Sequence, residues 1–107
     1  MAETNMDQVN TRATDHFLKD SRDEILRVAA QHGARNVRLF GSAARGEATE
    51  GSDLDFLVEM EPERSLLDLA ALRNDLMDLL GREVDVVTED GLYWLLRRKI
   101  LREARPL

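Results

Sequence analysis

The sequence predicts an α/β domain of the α+β kind, a small mixed sheet of about three strands flanked by helices. Three observations lead there. The chain has 107 residues, room for one domain and not two. Its apolar pattern alternates between helical and strand periods in the order α-β-loop-β-α-β-α, with no internal repeat. Short strands set between helices bury their apolar sides as a sheet with helices laid on it.

Residues 1–13 carry no periodicity and read as a disordered lead-in, which leaves residues 14–107 as the single domain. From about Asp15 to His32, the residues Phe17, Leu18, Ile25, Val28 and Ala29 recur at helical spacing, and Gly33 follows as a left-handed cap. Val37 to Phe40 reads as a strand that breaks at Gly41-Ser42. Residues 43–52, AARGEATEGS, form a loop with room for one helical turn. Leu54 to Glu59 is the second strand, and its Phe56-Leu57-Val58 run calls for burial on both faces.

Pro62 closes that strand. Ser65-Leu66-Leu67-Asp68 offers a capping box, and Leu66, Leu69, Leu72, Leu76 and Leu79 form the apolar stripe of a helix ending at Gly81. Glu83 to Thr88 is the third strand. A last helix from about Gly91 to Ala104 places Leu92, Leu96, Ile100 and Ala104 on one face, with Tyr93 and Trp94 helping to cover a thin core or serving as an aromatic pair for base stacking or partner docking.

Composition excludes whole classes of function. Fifteen basic against 21 acidic residues give a net charge of −6, which argues against direct nucleic-acid binding, since that normally needs a basic excess. The absence of cysteine removes a disulfide scaffold, a thiolate zinc site and a cysteine nucleophile, and it fits the reducing cytoplasm. No apolar run approaches the roughly 18 residues of a membrane span. The charge is uneven. Arg97, Arg98, Lys99, Arg102 and Arg105 face Glu103 alone in residues 91–107, a local +4 that leaves −10 on residues 1–90. That contrast marks the last segment as a solvated basic face or a partner surface.

Three carboxylates carry the chemistry. Asp53 and Asp55 flank Leu54 at the start of an apolar strand, and an i, i+2 pair shares one face about 7 Å apart. Asp85 lies between Val84 and Val86, where a charge needs a partner or a metal. Adjacent strands would bring all three together as an all-oxygen site, suited to Mg²⁺ or Mn²⁺ over zinc. His16 and His32 lie in the first helix, outside this group. Gly41-Ser42 ends a strand in a turn whose amides and hydroxyl can seat phosphate oxygens, and Arg45 adds a positive charge beside it. A phosphate seat next to a carboxylate-held metal describes a nucleoside triphosphate site. Gly41-Ser42-x₁₀-Asp53-x-Asp55 as a joint pattern arises by chance in roughly one chain in a thousand of this length.

This pattern, followed by a third strand carboxylate, resembles the signature of the DNA polymerase β-type nucleotidyltransferase superfamily. The stretch LFGSAARGEATEGSDLDFLVE is similar to its minimal nucleotidyltransferase branch, and the similarity runs through SLLDLAALRNDLMDLLGREVDVVTEDGL to ILREARPL. Chains of this length and ending resemble the MntA-like antitoxins, which are paired with HEPN-domain ribonuclease toxins. The resemblance implies a polymerase β-type nucleotidyltransferase core and a protein adenylyltransferase that moves AMP from ATP to a tyrosine of the toxin. It makes Asp53 and Asp55 metal ligands and Asp85 the third ligand or the base. Gly41 and Ser42 become the triphosphate seat and Arg45 a phosphate contact, in a hetero-oligomer with the toxin. An antitoxin that acts by binding alone, or a small-molecule nucleotidyltransferase working with a helical subunit, are the alternatives.

Overall fold

A computed structural model describes residues 6–107, with side chains from Ala13 onward. Helix α1 (Met6–Gln31) leads into β1 (Ala34–Phe40), and a single helical turn, α2 (Gly41–Ala44), precedes the loop to β2 (Leu54–Met60). Helix α3 (Leu66–Leu80) then connects to β3 (Val84–Thr88). A 3₁₀ turn (Glu89–Gly91), α4 (Trp94–Glu103) and a short β4 (Arg105–Pro106) complete the chain.

The four strands form one sheet in the order β3-β2-β1-β4. β1 runs antiparallel to both β2 and β4, while β2 and β3 are parallel. Parallel neighbours need a crossover, and α3 supplies it. Ser65 and Asp68 form the expected capping box, and Gly81 ends the helix in the left-handed region at φ 65°. Leu72, Leu76 and Leu80 of α3, with Leu18, Ile25 and Ala29 of α1, pack on the sheet face formed by Val37, Leu39, Leu54, Phe56, Val58, Val84 and Val86. Phe56, Leu57 and Val58 are all buried, as expected of a central strand covered on both sides.

Several sequence expectations change. Helix α1 begins at Met6, not near Asp15, so residues 6–13 of the segment expected to be disordered are helical; residues 1–5 lie outside the described residues. The sheet has a fourth strand, because Ala104 turns extended at φ −62° and ψ 137° and lets Arg105-Pro106 pair with β1. Proline is tolerated there because β4 is an edge strand. The Leu107 amide donates to the Val37 carbonyl at 3.2 Å, and Arg22 Nε donates to the Leu107 carbonyl at 3.1 Å.

The buried stripe of α3 is Leu72, Leu76 and Leu80, while Leu66 is 81% exposed. A capped first turn overhangs the sheet, so its leucines meet solvent. Helix α4 contains no buried residue. Leu96 is half exposed and Trp94 is 75% exposed, so neither they nor Tyr93 cover the core. The helix touches the sheet near β1 and leaves its aromatic N-terminal end outside. His32 bonds Asp75 at 2.6 Å and ties α1 to α3, whereas His16 is exposed.

These differences are measurable. Leu72→Ala is expected to cost about 2–5 kcal/mol in chemical denaturation, and Leu66→Ala to stay within about 0.5 kcal/mol. Equal effects at the two positions would contradict this placement of α3.

Candidate active site

The site is built on the sheet face that α1 and α3 leave open. Side chains alternate along β2, so Leu54, Phe56 and Val58 enter the helix-covered core while Asp55 and Leu57 face the other way. The register then decides which residues meet. Asp55 is opposite Phe40 of β1 and opposite Asp85 of β3, and paired positions on neighbouring strands share a face at a strand spacing of about 4.8 Å. Asp53 immediately precedes β2, two residues from Asp55, and belongs to the same face.

Gly41 completes this corner. Its φ of 69° is one that only glycine adopts without strain, and it turns the chain from β1 into α2. A Cβ at that position would sit 2.5 Å from Asp55 Oδ2, so the missing side chain is the space the carboxylate occupies. Ser42 follows in α2, and its hydroxyl makes no side-chain hydrogen bond among the described residues. The loop is tightened behind it by the Glu47 amide, which donates to the Ser42 carbonyl at 2.8 Å.

The acids lie close enough to act on one another's charge. Burial, then the charge of Asp85, then that of Asp53 raise the Asp55 carboxyl above its ordinary 3.8, and Arg45 opposes them. Arg45 is therefore close enough to act on the site, yet its guanidinium is engaged elsewhere: Nε donates to Glu47 at 2.9 Å and Nη1 donates to Glu103 of α4. Asp85 departs from expectation. It is exposed, as is Asp53, while Asp55 is half-buried. β3 is the edge strand and no helix covers its outer face, so Asp85 keeps its hydration instead of needing a buried partner.

Among the described residues no three acidic or imidazole side chains already stand at metal-caging distances. The donor set nonetheless fits a hard divalent cation. It is all carboxylate oxygen on adjacent strands, and the repulsion that raises Asp55 is what such a cation would relieve.

Two arginines escaped the sequence reading. Arg82, just before β3, donates through Nη2 to the Thr49 carbonyl and, at 2.7 Å, to the Ser52 carbonyl. Arg38 of β1 shares the open face with Leu57; its side chain is 14% exposed and pairs with Glu89 at 3.0 Å, which Arg97 of α4 also meets at 3.6 Å. The signal was an arginine abutting or inside an apolar strand, Gly81-Arg82-Glu83-Val84 and Val37-Arg38-Leu39. A cavity of about 680 Å³ lies at the opposite end of β2 against Met60, Pro62, Arg64 and Leu66. Of the carboxylates, Asp53 and Asp85 are exposed and Asp55 is half-buried.

A raised carboxyl favours folding below the unfolded value of 3.8 and loses that contribution as pH rises through the folded value. Without divalent metal, Asp55→Asn is therefore expected to melt higher than wild type at pH 7, with the difference vanishing below about pH 4. Calorimetry across that range checks it.

Comparison with known proteins agrees with this geometry. The sequence profile of the nucleotidyltransferase domain matches residues 22–107. The protein adenylyltransferase MntA of Thermococcus cleftensis is 36% identical over 103 residues, covering 96% of each chain. A Methanocaldococcus jannaschii chain described as a protein adenylyltransferase is 41% identical over 87 residues, or 81% of this chain and 94% of its own. A solved structure described as a minimal nucleotidyltransferase is 48% identical, with a TM-score of 0.77 over 98% of this chain and 100% of that one. The MntA-HpeT toxin–antitoxin structure shares the fold, at a TM-score of 0.66 and 22% identity over 80% of this chain and 70% of that one. With the motif, the sheet register and these matches in agreement, the chain belongs to the nucleotidyltransferase domain family.

Proposed function

We propose that this protein is an antitoxin that transfers AMP from ATP to a tyrosine of a HEPN ribonuclease toxin and so silences it. The observation that carries the reading is the register that sets Asp55 opposite Asp85, with Asp53 two residues away and Gly41 against the Asp55 carboxylate. The name of the Thermococcus cleftensis relative, which matches this chain end to end, supports a protein as acceptor. So does the exposure of the site: Asp53 and Asp85 are exposed beside half-buried Asp55, and a folded partner can bring its own surface to them. A structural neighbour solved with AMP-PNP supports an adenine nucleotide as donor.

In this reading Asp53 and Asp55, with Asp85 as the third ligand or the base, would hold Mg²⁺ or Mn²⁺, which would supply Lewis-acid stabilisation of the triphosphate. The chain's own residues do the rest. Gly41 leaves room for Asp55, and the Ser42 hydroxyl donates to a phosphate oxygen. Arg45 exchanges Glu47 and Glu103 for phosphate, a trade available to an exposed guanidinium. The tyrosine hydroxyl has an ordinary pKa near 10, so it needs a base at neutral pH. Asp85, where it serves as the base and not as the third ligand, takes that proton. The phenolic oxygen bonds to the α-phosphorus as the bond to the bridging oxygen breaks, and pyrophosphate leaves.

Inhibition by binding alone is the second reading, favoured by one observation. Tyr93, Trp94, Leu95 and Leu96 present an exposed apolar end of α4 suited to contact with a partner. The two readings separate in one experiment. With α-labelled ATP and Mg²⁺, label is expected on a tyrosine of a HEPN partner, and Asp53→Asn or Asp55→Asn is expected to reduce transfer by more than about 100-fold. Full neutralisation of the toxin by either variant would leave binding as the function.

A further inference from the structure

Asp53 has no regular structure of its own to hold it: it lies between the 45–52 loop and the first residue of β2. Yet both peptide groups around it are fixed from the same place. The amide of Leu54, on its C-terminal side, donates to the Glu83 carbonyl at 3.0 Å. The carbonyl of Ser52, on its N-terminal side, accepts from Arg82 Nη2 at 2.7 Å. Two consecutive residues leading into β3 therefore bracket Asp53.

Arg82 holds more than one point of that loop. Its Nη2 also donates to the Thr49 carbonyl, and Thr49 and Ser52 close a turn on each other. The Ser52 amide donates to the Thr49 carbonyl at 3.0 Å, and the Thr49 amide donates to Ser52 Oγ at 2.9 Å. Nη1 reaches back to Thr14 Oγ1 of α1 at 3.5 Å, where Thr14 is buried. A guanidinium can span two carbonyls and a hydroxyl at once because its donors are fixed in one plane. The arrangement is costly, since Arg82 Nε is buried without a hydrogen-bond partner. Burial also pulls the Arg82 guanidinium below its ordinary value, against the charges of Glu50 and Asp53.

We propose that Arg82 is a positioning residue: it clamps the Thr49–Ser52 turn so that Asp53 is presented to the divalent cation in register with Asp55 and Asp85. The inference rests on Asp53 being a metal ligand. It explains a half-buried cation next to the site that neither touches the carboxylates nor belongs to the apolar core. A lysine, with one ammonium in place of a planar fork, cannot hold both carbonyls and the Thr14 hydroxyl together.

Arg82→Lys and Arg82→Met test this against Arg73→Met. Arg73 also donates to a backbone carbonyl of β3, Val84 at 2.9 Å, but it does not touch the loop. Amide hydrogen exchange of the metal-free protein is the first measurement. Residues 49–54 are expected to exchange at least about tenfold faster in both Arg82 variants, with the centre of β2 unchanged. Mn²⁺ binding, followed by electron paramagnetic resonance in the presence of a non-hydrolysable ATP analogue, is the second. The Arg82 variants are expected to bind Mn²⁺ about 10–100-fold more weakly, while Arg73→Met lowers the melting temperature and keeps wild-type Mn²⁺ affinity. In the transfer reaction at saturating metal, kcat is expected to fall in the Arg82 variants with KM for ATP nearly unchanged.

Wild-type exchange in the loop, wild-type Mn²⁺ affinity in both Arg82 variants, or an equal loss in Arg73→Met would each overturn the positioning role and leave the metal reading standing. A wild-type chain that binds no Mn²⁺ would overturn the metal reading itself, and this inference with it.

Discussion

The parallel pairing of β2 with β3 is the constraint on which the other features rest. Parallel strands cannot be joined by a hairpin, so the chain must leave the sheet, run α3 across one face and return. That crossover places Leu72 and Leu76 in the core and leaves the opposite face without a helix over β3. The register of the pair then puts Asp55 beside Asp85 on the open side. One pairing thus separates an apolar face, which holds the fold together, from a face that carries the candidate site.

The charged face is a local destabilisation that the fold tolerates. Burial and two like charges press on Asp55, and Gly41 admits its carboxylate only by lacking a side chain. Cations sit around the face and not inside it. Arg45 is tied to Glu47 and Glu103, Arg38 to Glu89, and Arg82 to the loop carbonyls. The acids are left under-compensated while the surroundings are neutralised, the arrangement expected of a site whose missing charge arrives with a ligand.

Much of this was legible beforehand because it depends on spacing along the chain. The Gly41-Ser42 turn, the i, i+2 aspartates, the Ser65–Asp68 box and the Gly81 cap are local, and each follows from rules that need only a few neighbouring residues. The misplacements have a common cause. Leu66, Leu96 and Trp94 fit an apolar stripe in sequence, but a stripe does not say how far a neighbouring surface extends, and here it ends before reaching them. Asp85 looked buried because its neighbours Val84 and Val86 are, yet an edge strand has one covered face and one open one. The expected three strands became four because a two-residue strand such as Arg105-Pro106 is too short to leave a periodic signal.

By itself, the sequence determined the three long helices and three longer strands, their order and the candidate site residues, since these are encoded in local period and in motif spacing. The tertiary structure alone decided which carboxylates face each other, because strand register is a long-range choice made by the core. It also decided which face stays open, that Arg45 begins paired with Glu47 and Glu103, and that Arg82 reaches 30 residues back to the Ser52 carbonyl beside Asp53. Those are contacts between segments far apart in the chain, and no periodicity along it records them.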